Sequence, residues 1–436
     1  MVAILTSLHF GFIILFDKVT AFAPDEANYI GVFRNLYRSD FSLDGYLGWQ
    51  DGSVNALRII YIPAKILETI GFSDFFAVRT LSILYSMLSL YFLLQIAPER
   101  KILGRSIKFW LASAYFIPSI FLWGSLGLRE SFIFFSAVSI FYLFVNPHNL
   151  SFKREFLLLA AASTFFMISK TYLFGLLLIC LVASVLILSI LKRNFDRSLP
   201  KLLSALLVPL LLFPSIATDI VTSAIDTQEV NGIAPTPTPT PTGTPTGTPT
   251  GTIATRGQTL HILNEQLDEN PILSWLSTIT GVQNIINEKA QTSYLPAGSQ
   301  KLSENTTQLQ TQPASLQEPL SILVAAYNFA FVPTPFVDNG SYFLNAGSYE
   351  SFAWYLYYLV FILLLVGLLR GRYAINLATI SSSLFTLAFI ILSAFIEIND
   401  GTSVRHRAVL LLGILLMLAI YRSKEPLRPQ HLDSNF

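Results

Sequence analysis

Apolar runs of roughly 15–20 residues recur along most of the chain, close to the length needed to cross a hydrocarbon layer of about 30 Å. They predict helices near residues 2–16, 75–96, 106–124, 131–145, 154–169, 172–191, 202–217, 352–369, 374–396 and 408–421. The apolar stretch 154–191 is too long for one crossing and is expected to break at "SKTY", around Lys170. The pattern changes twice. Residues 17–73 hold two amphipathic pieces, "EANYIGVFRNLY" and "VNALRIIYIPAKILETIGF", joined by the turn-rich "DGYLGWQDGS". In the first, Glu26, Ile30, Phe33 and Tyr37 recur at i, i+4, i+7 and i+11, so a carboxylate shares the apolar face. Residues 218–350 contain the Pro/Thr/Gly repeat 235–252, which has no apolar side chains to bury and reads as a disordered tether. Beyond it, 319–332 is short for a crossing and suits an interfacial or re-entrant segment.

The expectation is an all-α, polytopic integral membrane protein of about ten transmembrane helices, with interfacial helices in its first outer loop. It divides into an N-terminal membrane module (1–217), a long loop (218–350) and a C-terminal membrane module with a short tail (351–436). Composition agrees: 53% of residues are hydrophobic and only 13% charged, against about 25% charged in soluble domains. The first apolar run lacks a basic leader and a small-residue cleavage site, so it reads as a retained span.

Charge sets the expected orientation. Fifteen of the 28 Lys and Arg residues fall on alternate connections: Arg100 to Lys108, Lys153 and Arg154, Lys192 to Lys201, Arg370 and Arg372, and the tail from Arg422 onward. Positive-inside counting makes those connections and both termini cytoplasmic, in a plasma (inner) membrane, with Asp25 and Glu26 outside. A net charge of +1 argues against a nucleic-acid partner. The single Cys180 excludes an intramolecular disulfide and a cysteine metal cluster, and no Walker, Rossmann or HExxH pattern is present.

Against that count, Arg79, Arg129, Lys170, Arg405 and Arg407 stand at the outer ends of apolar runs. Ionisable groups at such positions are costly unless paired or hydrated. Each taken alone is explained by snorkelling or by closing a helix end. As a set converging on the side of Asp25 and Glu26, they suggest one polar site, with Glu130 and His406 as secondary members. Cations there suit a lipid-linked phosphate, and a carboxylate can take a proton from an acceptor hydroxyl or help hold a divalent cation. Capping of the first interfacial helix is the plainer reading of Asp25 and Glu26. His9, alone in an apolar run, reads as a packing residue, and Arg34 and Arg38 as facing lipid headgroups. Glu397 and Asp400 could pair with Arg405 or Arg407.

The "PDEANY" stretch, followed by two interfacial helices, resembles the acidic motif of the GT-C superfamily of membrane glycosyltransferases, nearest the protein mannosyltransferase and aminoarabinose transferase branch. "PSIFLWGSLGLRESFIFF" and "SVRHRAVLLLGILLMLA" also resemble stretches of bacterial surface-polysaccharide polymerases. The resemblance implies a polyprenyl-phosphate sugar donor and a surface glycan, lipid or protein acceptor. It implies catalysis at Asp25, with Glu26 second; the charged set Arg79, Arg129, Glu130, Lys170, Arg405, His406 and Arg407, read from its placement at the ends of the apolar runs, is then expected to bind the donor phosphate. It fixes no cofactor; where a divalent cation takes part, Asp25 and Glu26 are its candidate ligands. The chain departs from the family in lacking an evident folded C-terminal periplasmic domain and in carrying its long loop between the seventh and eighth spans. A polymerase of lipid-linked repeat units is one rival. A lipid or oligosaccharide transporter is the other, although no internal repeat is visible and the unusual charges gather on one face.

Overall fold

The computed structural model describes residues 2–15, 52–145, 152–191, 348–396 and 400–422, together with Glu26, Ile30, Phe33, Arg34 and short pieces within 203–211 and 326–336. The described residues are mostly helical. In chain order the helices are α1 (Val2–Leu15), α2 (Gly52–Thr69), α3 (Asp74–Ile96), α4 (Ile107–Ser113), α5 (Pro118–Ser125), α6 (Glu130–Val145), α7 (Phe152–Ser169), α8 (Thr171–Ile190), α9 (Ser351–Leu369), α10 (Leu377–Ile396) and α11 (Asp400–Ile420). Asp25, the repeat 235–252 and Glu397 lie outside the described residues, as do the side chains of Asp400, Arg405 and His406.

Among the described residues, three helices are long and apolar enough to cross a membrane: α3, the Leu173–Ile190 part of α8, and α9. The pair Ile107–Phe116 and Pro118–Ser125 would make a fourth if it counts as one broken span. Val2–Leu15, Glu130–Val145, Leu377–Ser393 and Arg407–Ile420 are apolar but shorter.

Two local features differ from the sequence reading. The run 106–124 is not one straight helix: it bends by 70° between Phe116 and Pro118. Pro118 excludes helical backbone at the residue before it, and Ile117 is extended (φ −62°, ψ 125°). Between α3 and α4 the all-α reading also meets a two-stranded hairpin, β1 (Lys101–Ile102) and β2 (Arg105–Ser106), antiparallel with Ile102 opposite Arg105. Its turn has positive φ at both Leu103 (50°) and Gly104 (76°), the left-handed pair that matches strand twist in two-residue hairpins.

The expected break at Lys170 is present. Its backbone is extended (φ −159°, ψ 85°); it still donates to Phe166 O (3.1 Å) and accepts from Leu173 N (3.1 Å), so α7 and α8 are separated by one residue. α10 begins at a reciprocal cap, Thr379 N to Asn376 Oδ1 (2.9 Å) and Asn376 N to Thr379 Oγ1 (3.0 Å).

α3 packs mainly on α6, α8 on α10, and α7 on α6. From Arg407 to Ile420, α11 is buried on every side, as expected for a helix that is apolar all round and sits inside the bundle. Gly413 makes this possible, because a Cβ there would overlap the Thr386 side chain of α10. A smaller core of Ile30, Phe33, Tyr61, Ala77, Val78, Leu81, Phe132 and Ile168 joins the 26–34 piece to α2, α3, α6 and the end of α7. This small core lies beside the charged residues described next.

Candidate functional site

Glu26, Ile30 and Phe33 are all buried, as their shared helical face requires, while Arg34 is exposed. Glu26 therefore needs a partner, and α3 supplies it. Arg79 donates through Nε to Glu26 Oε1 (2.7 Å) and through Nη2 to Oε2 (3.1 Å), with both side chains 0% exposed. This fork matches the carboxylate plane, and Gly127 N adds a longer contact to Oε1 (3.4 Å). Tyr61 of α2 donates to Gly127 O (2.8 Å), so two elements hold the loop between α5 and α6. Gly127 leaves no room for a side chain unless Val78 moves, since a Cβ would overlap Val78 Cγ1.

Two residues farther along, Arg129 opens α6: its carbonyl accepts from Phe132 N (3.1 Å) and Ile133 N (3.0 Å). Glu130 follows in the first turn, where a carboxylate favours the helix dipole, and it is 3% exposed. Arg129 and Lys170 both act electrostatically on Glu130. Lys170 reaches this position because the α7–α8 break puts it where α7, which packs on α6, ends. Four separate segments thus bring Glu26, Arg79, Arg129, Glu130 and Lys170 to one end of the bundle.

Arg407 belongs to a different group. It is 1% exposed and donates through Nε to Phe329 O (2.9 Å). Tyr358 donates to Ala330 O (2.8 Å) and Tyr355 to Phe331 O (3.2 Å), so three consecutive carbonyls are met by side chains. The reason is legible: a helix would satisfy Phe329 and Phe331 from residues 333 and 335, and both are proline, which has no N–H. Beside them Glu350 accepts from Ser119 N (2.9 Å), from Ser119 Oγ and from Trp354 Nε1 (2.7 Å). Ser119 and Gly127 stand at opposite ends of α5, on the order of 12 Å apart along its axis. The two charged groups thus flank that short helix.

Arg405 lies two residues before Arg407 on α11. His9 is buried, shares a hydrogen bond with Ser125 Oγ (2.6 Å at Nδ1) and stacks on Phe121 at 4.1 Å. Arg34 is not simply turned to headgroups: it pairs with Asp74, and its guanidinium lies 5.8 Å from the Phe75 ring, which Arg79 also approaches at 5.1 Å. Glu350, Tyr355, Tyr358 and Gly127 were missed by sequence reasoning. The prolines after Phe331 were the available signal for the tyrosines; nothing local marks Gly127 or Glu350.

No protein-family model, curated protein or solved structure matches this chain.

Proposed function

We propose that the chain is a GT-C-like membrane glycosyltransferase of about ten transmembrane helices, with both termini cytoplasmic and the Glu26–Arg79 end at the outer leaflet. It transfers a sugar from a polyprenyl-phosphate donor to a surface glycan, lipid or protein acceptor. The observation that carries this reading is the gathering of three cations and two carboxylates, Arg79, Arg129, Lys170, Glu26 and Glu130, from distant parts of the chain. Such a group is costly near a membrane and has a use where a phosphate leaves.

In this reading the carboxylates have different tasks. Glu26 receives Arg79 on both oxygens, which makes it a positioning residue that holds the first outer loop against α3. The base is then Asp25, its neighbour in sequence. Asp25 takes the proton of the acceptor hydroxyl as that oxygen attacks the anomeric carbon. The carbon–oxygen bond to phosphate breaks, and polyprenyl phosphate leaves with the electron pair. Arg129 and Lys170 stabilise the departing charge, with Arg405 and His406 of α11 as further contacts. Arg407, engaged with Phe329 O, shapes that wall. A divalent cation between Asp25 and Glu26 fits less well, because Arg79 already neutralises Glu26.

The test is to incubate the reconstituted protein with a panel of polyprenyl-phosphate sugars and acceptor glycans, following free polyprenyl phosphate and product size. Release coupled to addition of one sugar supports the transferase. Addition of whole repeat units indicates the polymerase, and donor movement across the bilayer without release indicates a transporter; either outcome overturns the assignment.

A further inference from the structure

A further shielded guanidinium, besides those of Arg79 and Arg407, lies beyond the far end of α3, about 25 Å from Arg79 by helix rise. Arg100 stands between α3 and the hairpin, where its carbonyl accepts from Ile107 N (3.0 Å). Its guanidinium carbon is 4.3 Å from the centre of the Tyr373 ring. Nε, Nη1 and Nη2 are all shielded, and among the described residues none meets a well-aligned acceptor, the Tyr373 hydroxyl being the one side chain that engages them. Five charged N–H donors with one phenol for company are expensive, because an aromatic face and its hydroxyl do not replace the lost hydration. Burial accordingly holds this group below the ordinary arginine pKa, opposed by the hydroxyls of Tyr373 and Tyr421. The nearest carboxylate in sequence, Glu99, has a 92% exposed side chain and lies 3.8 Å from Lys108 instead.

The surroundings are firm and basic. Tyr373 presses against Gly367, where an added Cβ would fall 2.5 Å from Cε2, and its ring lies 5.2 Å from that of buried Tyr421. Ala374 N donates to Arg422 O (3.0 Å), which brings Arg422 to the same connection as Arg370 and Arg372; all three are exposed, as are Lys101 and Arg105. Among the described residues this cation has no anion, and it lies on a fixed ring among further cations, which is what an anion site looks like before its ligand arrives.

We propose that Arg100, stacked on Tyr373, is the centre of a phosphate-binding site at this end of the bundle, taking the phosphate of an anionic lipid headgroup or free phosphate. Because the nitrogens are shielded, the anion enters as the Arg100 side chain swings outward from its loop toward the exposed arginines. Charge counting expects this end to face the cytoplasm, where anionic lipid is enriched. The proposal does not depend on the glycosyltransferase reading.

The experiment is thermal unfolding of the full-length protein in neutral detergent after lipid depletion, for wild type, Arg100→Gln and the exposed control Arg105→Gln. The additions are phosphatidylglycerol, phosphatidylcholine or inorganic phosphate. Without additions Arg100→Gln should melt at or above wild type, because the unmet donors are gone. Phosphatidylglycerol should raise Tm by a few degrees in wild type and in Arg105→Gln, and leave Arg100→Gln unchanged. An equal rise with inorganic phosphate would make free phosphate the ligand; a rise with lipid alone would make it a headgroup. Equal lipid stabilisation of wild type and Arg100→Gln, or no shift of wild type with either ligand, would overturn the site. So would an Arg100→Gln protein that melts well below wild type or fails to fold, since Arg100 would then be a structural stack.

Discussion

Replacing Arg79 by Met removes the fork from Glu26 while keeping most of the volume on α3. Both partners are fully buried, so Glu26 would be left as a carboxylate with only the 3.4 Å contact to Gly127 N among the bonds described above. Breaking a buried pair from one side costs about 3–5 kcal/mol, because the remaining charge loses its water and its partner together. Glu26→Gln should destabilise in the same way by stranding Arg79. The double variant Glu26→Gln/Arg79→Met buries no charge and should lose less than the sum of the single losses, by at least about 2 kcal/mol. Arg79→Lys keeps the charge but not the planar fork, and should recover less than half of the loss. Denaturant unfolding of the purified protein in detergent, followed by helix content, gives all four values. Losses below about 1 kcal/mol for the single changes, typical of a solvated pair, or simple additivity in the double variant, would refute the claim that this pair anchors the 26–34 segment.

Three further outcomes follow from particular contacts. Gly127→Ala should cost about 1–3 kcal/mol through overlap with Val78, and Val78→Ala in the same chain should recover part of it in the same unfolding assay. Cysteines introduced in 218–350 should react with an impermeant thiol reagent from outside and those in 192–201 should not; buried Cys180 gives a quiet background, and the reverse pattern would put Asp25 in the cytoplasm. Deleting the repeat 235–252 should leave the yield of folded protein nearly unchanged, and loss of that protein in size-exclusion chromatography would show the segment to be structural.

The sequence made some of this visible because the signals were local. The over-long apolar run 154–191 demanded a break, and Lys170 was the residue that could make it. The i, i+4, i+7 spacing put Glu26 beside Ile30 and Phe33 on one buried face. Pro118 carried the bend at Ile117, but an unbroken hydropathy profile concealed it, because apolarity reports burial and not direction. The choice of Arg79 as the partner of Glu26 was not legible, since it depends on how α3 docks against a segment 53 residues away. Glu350 was equally hidden: three donors meet it from α5 and α9, two of them from Ser119, which is 231 residues distant. The contact of Arg407 was hidden as well: Pro333 and Pro335 carry no N–H, so the carbonyls of Phe329 and Phe331 are met by Arg407 and Tyr355 instead.

The most direct measurement of the central claim is the rate of polyprenyl-phosphate release by reconstituted wild-type and Asp25→Asn protein, with donor binding followed in the same preparation. Asn keeps the shape of the side chain and cannot accept the proton. The account predicts a fall of about 10²–10⁴ in rate with donor affinity nearly unchanged and the protein normally folded. Near-normal release by Asp25→Asn would contradict it.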